Sequence, residues 1–131
     1  MKKMNNKGFS LVELIVVIAI MAVLVGVLAP QFIKYVESSR RSTDVSNAEA
    51  IRSAVLADIA EAKILGTGTG SVCTTTAPST IGEVPKIKGN VGTLNGTDFT
   101  YSWNASTGVC YVYAGTYNLS DTTGVSSYKA Q

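Results

Sequence analysis

An α+β fold is predicted for this chain, with one long N-terminal helix packed by its second half against a small antiparallel sheet. Three observations predict it. An almost unbroken apolar run extends from Phe9 to Ala29, apolar residues then recur at spacings of three and four as far as Leu65, and residues 66–131 hold ten of the 12 glycines together with short stretches of strict alternation. The first two patterns are helical, one apolar all round and the other on a single stripe, and the third belongs to strands and turns.

The first element is long enough to cross a bilayer. Its 21 residues, Phe9 to Ala29, rise about 31 Å as a helix, against a hydrocarbon core of roughly 30 Å. Lys2, Lys3 and Lys7 precede it without an acidic residue, while Lys34, Arg40 and Arg41 follow at a greater distance. That asymmetry places the N-terminus in the cytoplasm. A secretory signal has a shorter apolar stretch and ends in a small-x-small cleavage site. Val27-Leu28-Ala29 lacks the first small residue and runs into Pro30, which disfavours release after Ala29. The run carries one carboxylate, Glu13, and a membrane helix rarely keeps such a charge without using it.

The second element, Gln31 to Leu65, aligns Ile33, Val36, Val45, Ala48, Ile51, Val55, Ile59 and Ala62 largely on one stripe. Glu37 with Arg41 and Arg40 with Asp44 are spaced to form ion pairs on its exposed side, worth a few tenths of a kcal/mol each. A continuous helix from Phe9 to Leu65 would reach roughly 85 Å, more than a globular domain of this size can bury. Gly26 and Pro30 mark where it bends or loosens, because proline removes an intrahelical hydrogen bond and glycine lowers helix preference.

In the remainder, Asp98 to Asn104 and Val109 to Tyr117 alternate with period two and flank the polar turn Ala105-Ser106-Thr107-Gly108. The pair reads as an antiparallel hairpin. Tyr101, Trp103, Tyr111, Tyr113 and Tyr117 are expected on its packed face. A last strand is expected over Val125 to Lys129 and a short one around Val91 to Leu94, with Gly66-Thr67-Gly68-Thr69-Gly70 stopping the helix.

The stretch Lys7-Gly8-Phe9-Ser10-Leu11-Val12-Glu13-Leu14, with the apolar helix behind it and Pro30 near its end, closely resembles the type IV pilins and their relatives the pseudopilins. About the first thirty residues carry the match. The resemblance implies the pilin fold and cleavage by a prepilin peptidase between Gly8 and Phe9, with methylation of the new amine of Phe9. It implies that Glu13 compensates the N-terminal amine of a neighbouring subunit and so sets assembly register; the alternative is a carboxylate that merely snorkels to the interface. Pilin helices loosen in a segment comparable to Gly26 to Pro30, although Met21 and Ala22 stand where an earlier glycine is often found.

The domain organisation that follows is a leader over 1–8, a transmembrane and assembly helix over 9–30, its amphipathic continuation over 31–65, and a sheet head over 66–131. The expected function is that of a structural subunit, a major pilin, serving adhesion, motility or surface attachment. It would be a single-pass precursor in the cytoplasmic (inner) membrane and then part of an extracellular filament. Implied partners are further copies of the chain, the prepilin peptidase, an assembly ATPase with its membrane platform, and the lipid bilayer before assembly. Two alternatives share parts of this pattern: a pseudopilin of a type II secretion or DNA-uptake system, and a signal-anchored surface protein that never polymerises. Against secretion pseudopilins, which tend to carry a C-terminal acidic calcium loop, the tail offers Asp121 alone.

Composition narrows the remaining classes. Formal net charge is +2 with 11 basic and 9 acidic residues. Removal of the three leader lysines leaves eight basic against nine acidic, so no basic excess marks a nucleic-acid partner. The absence of His excludes Ser-His and Cys-His nucleophile pairs, the two cysteines are too far apart for a zinc knuckle, and the Gly66 to Gly70 glycines lack the context of a phosphate loop. No enzyme activity, cofactor or metal is expected. Cys73 and Cys110 both fall outside the cytoplasm on the orientation above, where a disulfide persists. They are expected to pair, closing a loop of about 38 residues worth roughly 4 kcal/mol on the loop-entropy model.

Overall fold

The computed structural model describes residues 8–72, 78 and 81–131. Cys73 and the segments 73–77 and 79–80 lie outside the described residues. The chain divides into two compact units, one ending at Val36 and the other running from Glu37 to Gln131. Helix α1, Leu11–Ala60, contributes to both.

In the first unit α1 is apolar on every side. It begins where Ser10 and Glu13 satisfy its leading amides, and it continues through Gly26 and Pro30 without interruption. Pro30 has no N–H for the carbonyl four residues earlier, which is that of Gly26, so the two residues flank a single missing rung of the ladder.

In the second unit α1 buries Ala48, Ile51, Ala54 and Val55 against a sheet. The stripe is real, but its ends are not: Ile33 is exposed, and so is Ala62. The helix stops at Ala60, short of Leu65. Ala62 takes a left-handed φ of 55°. Its N–H donates to the carbonyl of Ile59 at 3.0 Å, while Lys63 N–H donates to that of Asp58 at 2.9 Å. This is a Schellman stop with alanine where glycine is usual. Ala62, Ile64 and Leu65 continue the apolar spacing, which is why the pattern alone runs past the stop. Ala62→Gly is expected to raise stability by about 1 kcal/mol by removing the Cβ penalty of the left-handed region; a lower thermal midpoint of the variant in detergent would contradict this.

The sheet is antiparallel, with strands β1 (Thr67–Val72), β2 (Thr100–Asn104), β3 (Val109–Ala114) and β4 (Tyr117–Asn118) in sequence order. The expected hairpin forms as β2 and β3, with Asn104 opposite Val109 across the four-residue turn. Val109 to Tyr117 is not one strand, because the chain reverses at Gly115 (φ 59°) and Tyr117 pairs back to Ala114 as β4. Thr67 to Gly70, expected as part of a helix stop, belong to strand β1. It pairs with β2 across an irregularity between Gly68 and Ser71. A side chain on Gly68 would collide with the Trp103 indole lying across it, so glycine here permits close approach.

Phe99, Tyr101, Cys110, Val112 and Ala114 enclose the core with Ile87, Val91, Leu119 and Tyr128. The aromatic residues therefore split between faces. Tyr101 is fully buried with the Trp103 ring tilted at 36° and its centroid 5.4 Å away, but Cys110, Val112 and Ala114 take the inward positions of β3 and leave Tyr111 44% exposed.

Two expected strands are absent from the described residues. Val91 to Leu94 is a turn, closed by Leu94 N–H on the Val91 carbonyl, within a loop that pairs only at Lys86 and Asp98. Val125 to Lys129 lies in helix α2, Thr122–Lys129. Asp121 caps α2, accepting from Gly124 N–H at 2.6 Å, an N-cap geometry worth about 1 kcal/mol. Gly124 lies against the Asn118 backbone, where any Cβ would clash.

Candidate assembly site

Gly8, Phe9 and Ser10 precede the helix in exposed, irregular backbone. Phe9 is 93% exposed and nothing approaches the Cα of Gly8. Among the described residues nothing crowds Gly8 or Phe9.

Glu13 is not idle in the isolated chain. Its Oε2 accepts from Ser10 N–H at 3.0 Å, and Ser10 Oγ accepts from Val12 N–H at 3.3 Å. Ser10-Leu11-Val12-Glu13 is the S-x-x-E pattern of a capping box, legible in the sequence and overlooked there. The carboxylate also faces the positive end of the helix dipole. Cleavage after Gly8 would place a second positive charge, the amine of Phe9, one residue from the amide that Glu13 already holds.

Behind this cap, every large apolar side chain from Phe9 to Leu28 is at least half exposed, Val16 least at 50%. Burial of one such side chain is worth about 1.5–3 kcal/mol. A surface of this size, apolar all round, must be covered by lipid tails or by other apolar helices. The helix is long and apolar enough to cross a membrane.

In the second unit α1 carries a polar clasp. Asp44 is fully buried and accepts from Lys88 N–H at 2.8 Å, Gly89 N–H at 2.6 Å and the Tyr128 hydroxyl at 2.6 Å. The expected surface pair of Asp44 with Arg40 does not form, because Asp44 lies beneath the 88–90 loop. The pair of Glu37 with Arg41 does form, at 3.0 Å. Glu37 also accepts from Asn90 N–H at 2.5 Å, and Arg41 donates to the carbonyls of Lys129 and Gln131. Three helix side chains thereby hold one loop and the C-terminal helix.

Burial, and next the hydrogen bond to Asp44, push the Tyr128 hydroxyl above its ordinary value of 10.0. Folding therefore favours neutral tyrosine, and that stability is complete below the unfolded pKa and declines as pH rises from it toward the folded one. Denaturant unfolding of the full chain in detergent is expected to show a loss beginning near pH 10, which Tyr128→Phe flattens. An undiminished decline in the variant would place its origin elsewhere.

Cys110 is fully buried on β3, its thiol pushed up to about 11 by burial, with the Arg52 cation opposing that rise. Its expected partner, Cys73, lies outside the described residues. Gly26 and Pro30 lie in continuous helix with open space at Gly26. No group of residues fit to hold a metal occurs among the described residues.

Residues 3–29 match the prokaryotic N-terminal methylation motif. The fimbrial protein EcpC of Eikenella corrodens is 33% identical over 81% of this chain and 86% of its own. The type IV narrow pilus major component PilA5 of Thermus thermophilus is 29% identical over 89% of each chain. The type IV major pilin protein PilA of Myxococcus xanthus is 39% identical over 38% of this chain and 23% of its own. No solved structure matches. With a methylation motif on the capped apolar helix, an α+β head behind it and a fimbrial relative aligned over most of both chains, this protein belongs to the type IV pilin family.

Proposed function

We propose that this chain is the major, polymerising subunit of a type IV pilus. The family is structural, and its members form filaments after prepilin processing. The carrying observation is the helix from Leu11 to Leu28, exposed on every side and apolar but for one capped carboxylate. Before assembly lipid covers it, and in the filament the same helix of neighbouring copies does so.

The leader lysines hold the N-terminus in the cytoplasm. The peptidase cuts after Gly8, Phe9 is N-methylated, and Glu13 meets the resulting cation of an adjoining subunit. An unpaired carboxylate in an apolar bundle is costly, so a copy one step out of register is penalised. An assembly ATPase and its membrane platform drive insertion, and the filament serves attachment, adhesion or motility. Gly26 and Pro30, at the missing hydrogen bond, let the helix yield during packing. Cys110 pairs with Cys73 once both are outside the cytoplasm. Mass spectrometry of the principal protein in sheared surface filaments should return this chain beginning at N-methyl-Phe9; a start at Met1 or beyond Ala29 would refute the reading.

A further inference from the structure

Arg40, Lys86, Ile87, Lys88, Asn95 and Gly96 line a concavity of about 520 Å³ between α1 and the 86–96 loop. Lys86 reaches Asp98 only loosely, at 3.6 Å with its side chain 61% exposed. Neither Arg40 nor Lys88 has a carboxylate at ion-pair distance among the described residues. Glu83 borders the adjoining hollow beside Lys86 and Lys88. Three cations thus converge on a hollow whose lining holds no carboxylate among the described residues, with the buried Asp44 beneath the same loop and Asp98 beside Lys86 offsetting part of their charge.

The complementary charge lies on the other side of α1. Glu49 is exposed and has no ion-pair partner among the described residues. Nine positions separate it from Arg40, which at 100° per residue is half a turn around the helix and about 13 Å along it. A cationic hollow and its anion on opposite faces cannot satisfy each other within one chain, nor in a closed two-fold pair. They match head to tail, in an interface that propagates.

We infer that Glu49 of one subunit docks into the Arg40, Lys86 and Lys88 hollow of the next, a lateral contact between heads separate from the apolar helices. This rests on the polymerising role proposed above. A second copy fits better than a nucleic acid or other polyanion, because a mature chain without positive excess provides no long-range attraction for one.

Full-length variants should be expressed in the producing cell, with processed subunit in the membrane and sheared filament measured separately. Glu49→Lys or Lys88→Glu alone is expected to lower filament yield roughly tenfold at unchanged membrane level, since like charges meet at the contact. The two reversals combined in one chain should restore it. Carbodiimide treatment of wild-type filaments should join Glu49 to Lys86 or Lys88, and detergent-dispersed monomer should not give that link. Single reversals that polymerise normally, or filaments lacking the link, would overturn the inference. So would Lys88→Glu filaments of normal yield that lose retention on a heparin matrix, an outcome assigning the hollow to a polyanion. Wild-type cells whose filaments lack this chain would instead fail the polymerising role itself.

Discussion

Asp44→Ala is expected to remove about 4 kcal/mol of stability, the largest effect of any single substitution in the head. Its carboxylate accepts three hydrogen bonds while fully buried. Truncation leaves the amides of Lys88 and Gly89 and the Tyr128 hydroxyl without their acceptor, and each unsatisfied buried donor costs about 1–3 kcal/mol. The costs overlap, because a loosened loop readmits water. Against a total stability of about 5–15 kcal/mol the loss is severe. Asp44→Asn keeps the volume but turns an amide donor toward donors, and should cost about half as much. Denaturant unfolding of the full chain in detergent, with amide exchange at residues 88 and 89, checks both. Exchange unchanged in Asp44→Ala would show that the loop is held by apolar packing alone.

Glu13→Gln is expected to abolish most filament assembly while leaving cleavage after Gly8 intact. The capping geometry makes this substitution informative. Glutamine also serves at the third position of a capping box, so the hydrogen bond to Ser10 N–H survives and the helix starts where it did. What disappears is the negative charge, which the proposed assembly pairs with the amine of Phe9. Glu13→Ala removes cap and charge together, adding about 1 kcal/mol of loss at the helix start. If Glu13→Gln filaments form at wild-type yield while Glu13→Ala filaments do not, the residue acts through the cap and not through its charge. Processing is followed by the mass of the membrane-borne subunit, and assembly by sheared filament.

The two predictions concern carboxylates of opposite legibility. Glu13 is conspicuous in the sequence because a charge in an apolar run has no bland environment. Asp44 is inconspicuous because an aspartate four residues from an arginine on a helix looks like one half of a surface pair. Nothing local announces that a loop more than forty residues later lies over it. The same distinction runs through the head. The β2–β3 hairpin is readable from alternation and a four-residue turn, both local. Strand β1 is not, since Thr-Gly-Thr-Gly-Ser has no apolar side chain to alternate with polar ones and is ordered by pairing with β2 beneath the Trp103 ring. Helix α2 could have been found: Asp121 three residues ahead of Gly124, with Val125 and Tyr128 three apart, is an N-cap followed by a helical spacing.

The amino-acid sequence by itself determined the long apolar helix, its single carboxylate and the α+β class, because these depend on composition and on periods of two and 3.6 within short windows. The tertiary structure alone decided which of that helix's acids is buried and what pairs with the glycine-rich strand. Those outcomes turn on contacts between residues far apart in the chain, such as Asp44 with Tyr128 and Gly68 with Trp103. Their energies, unlike a helical period, are set only once the elements have met.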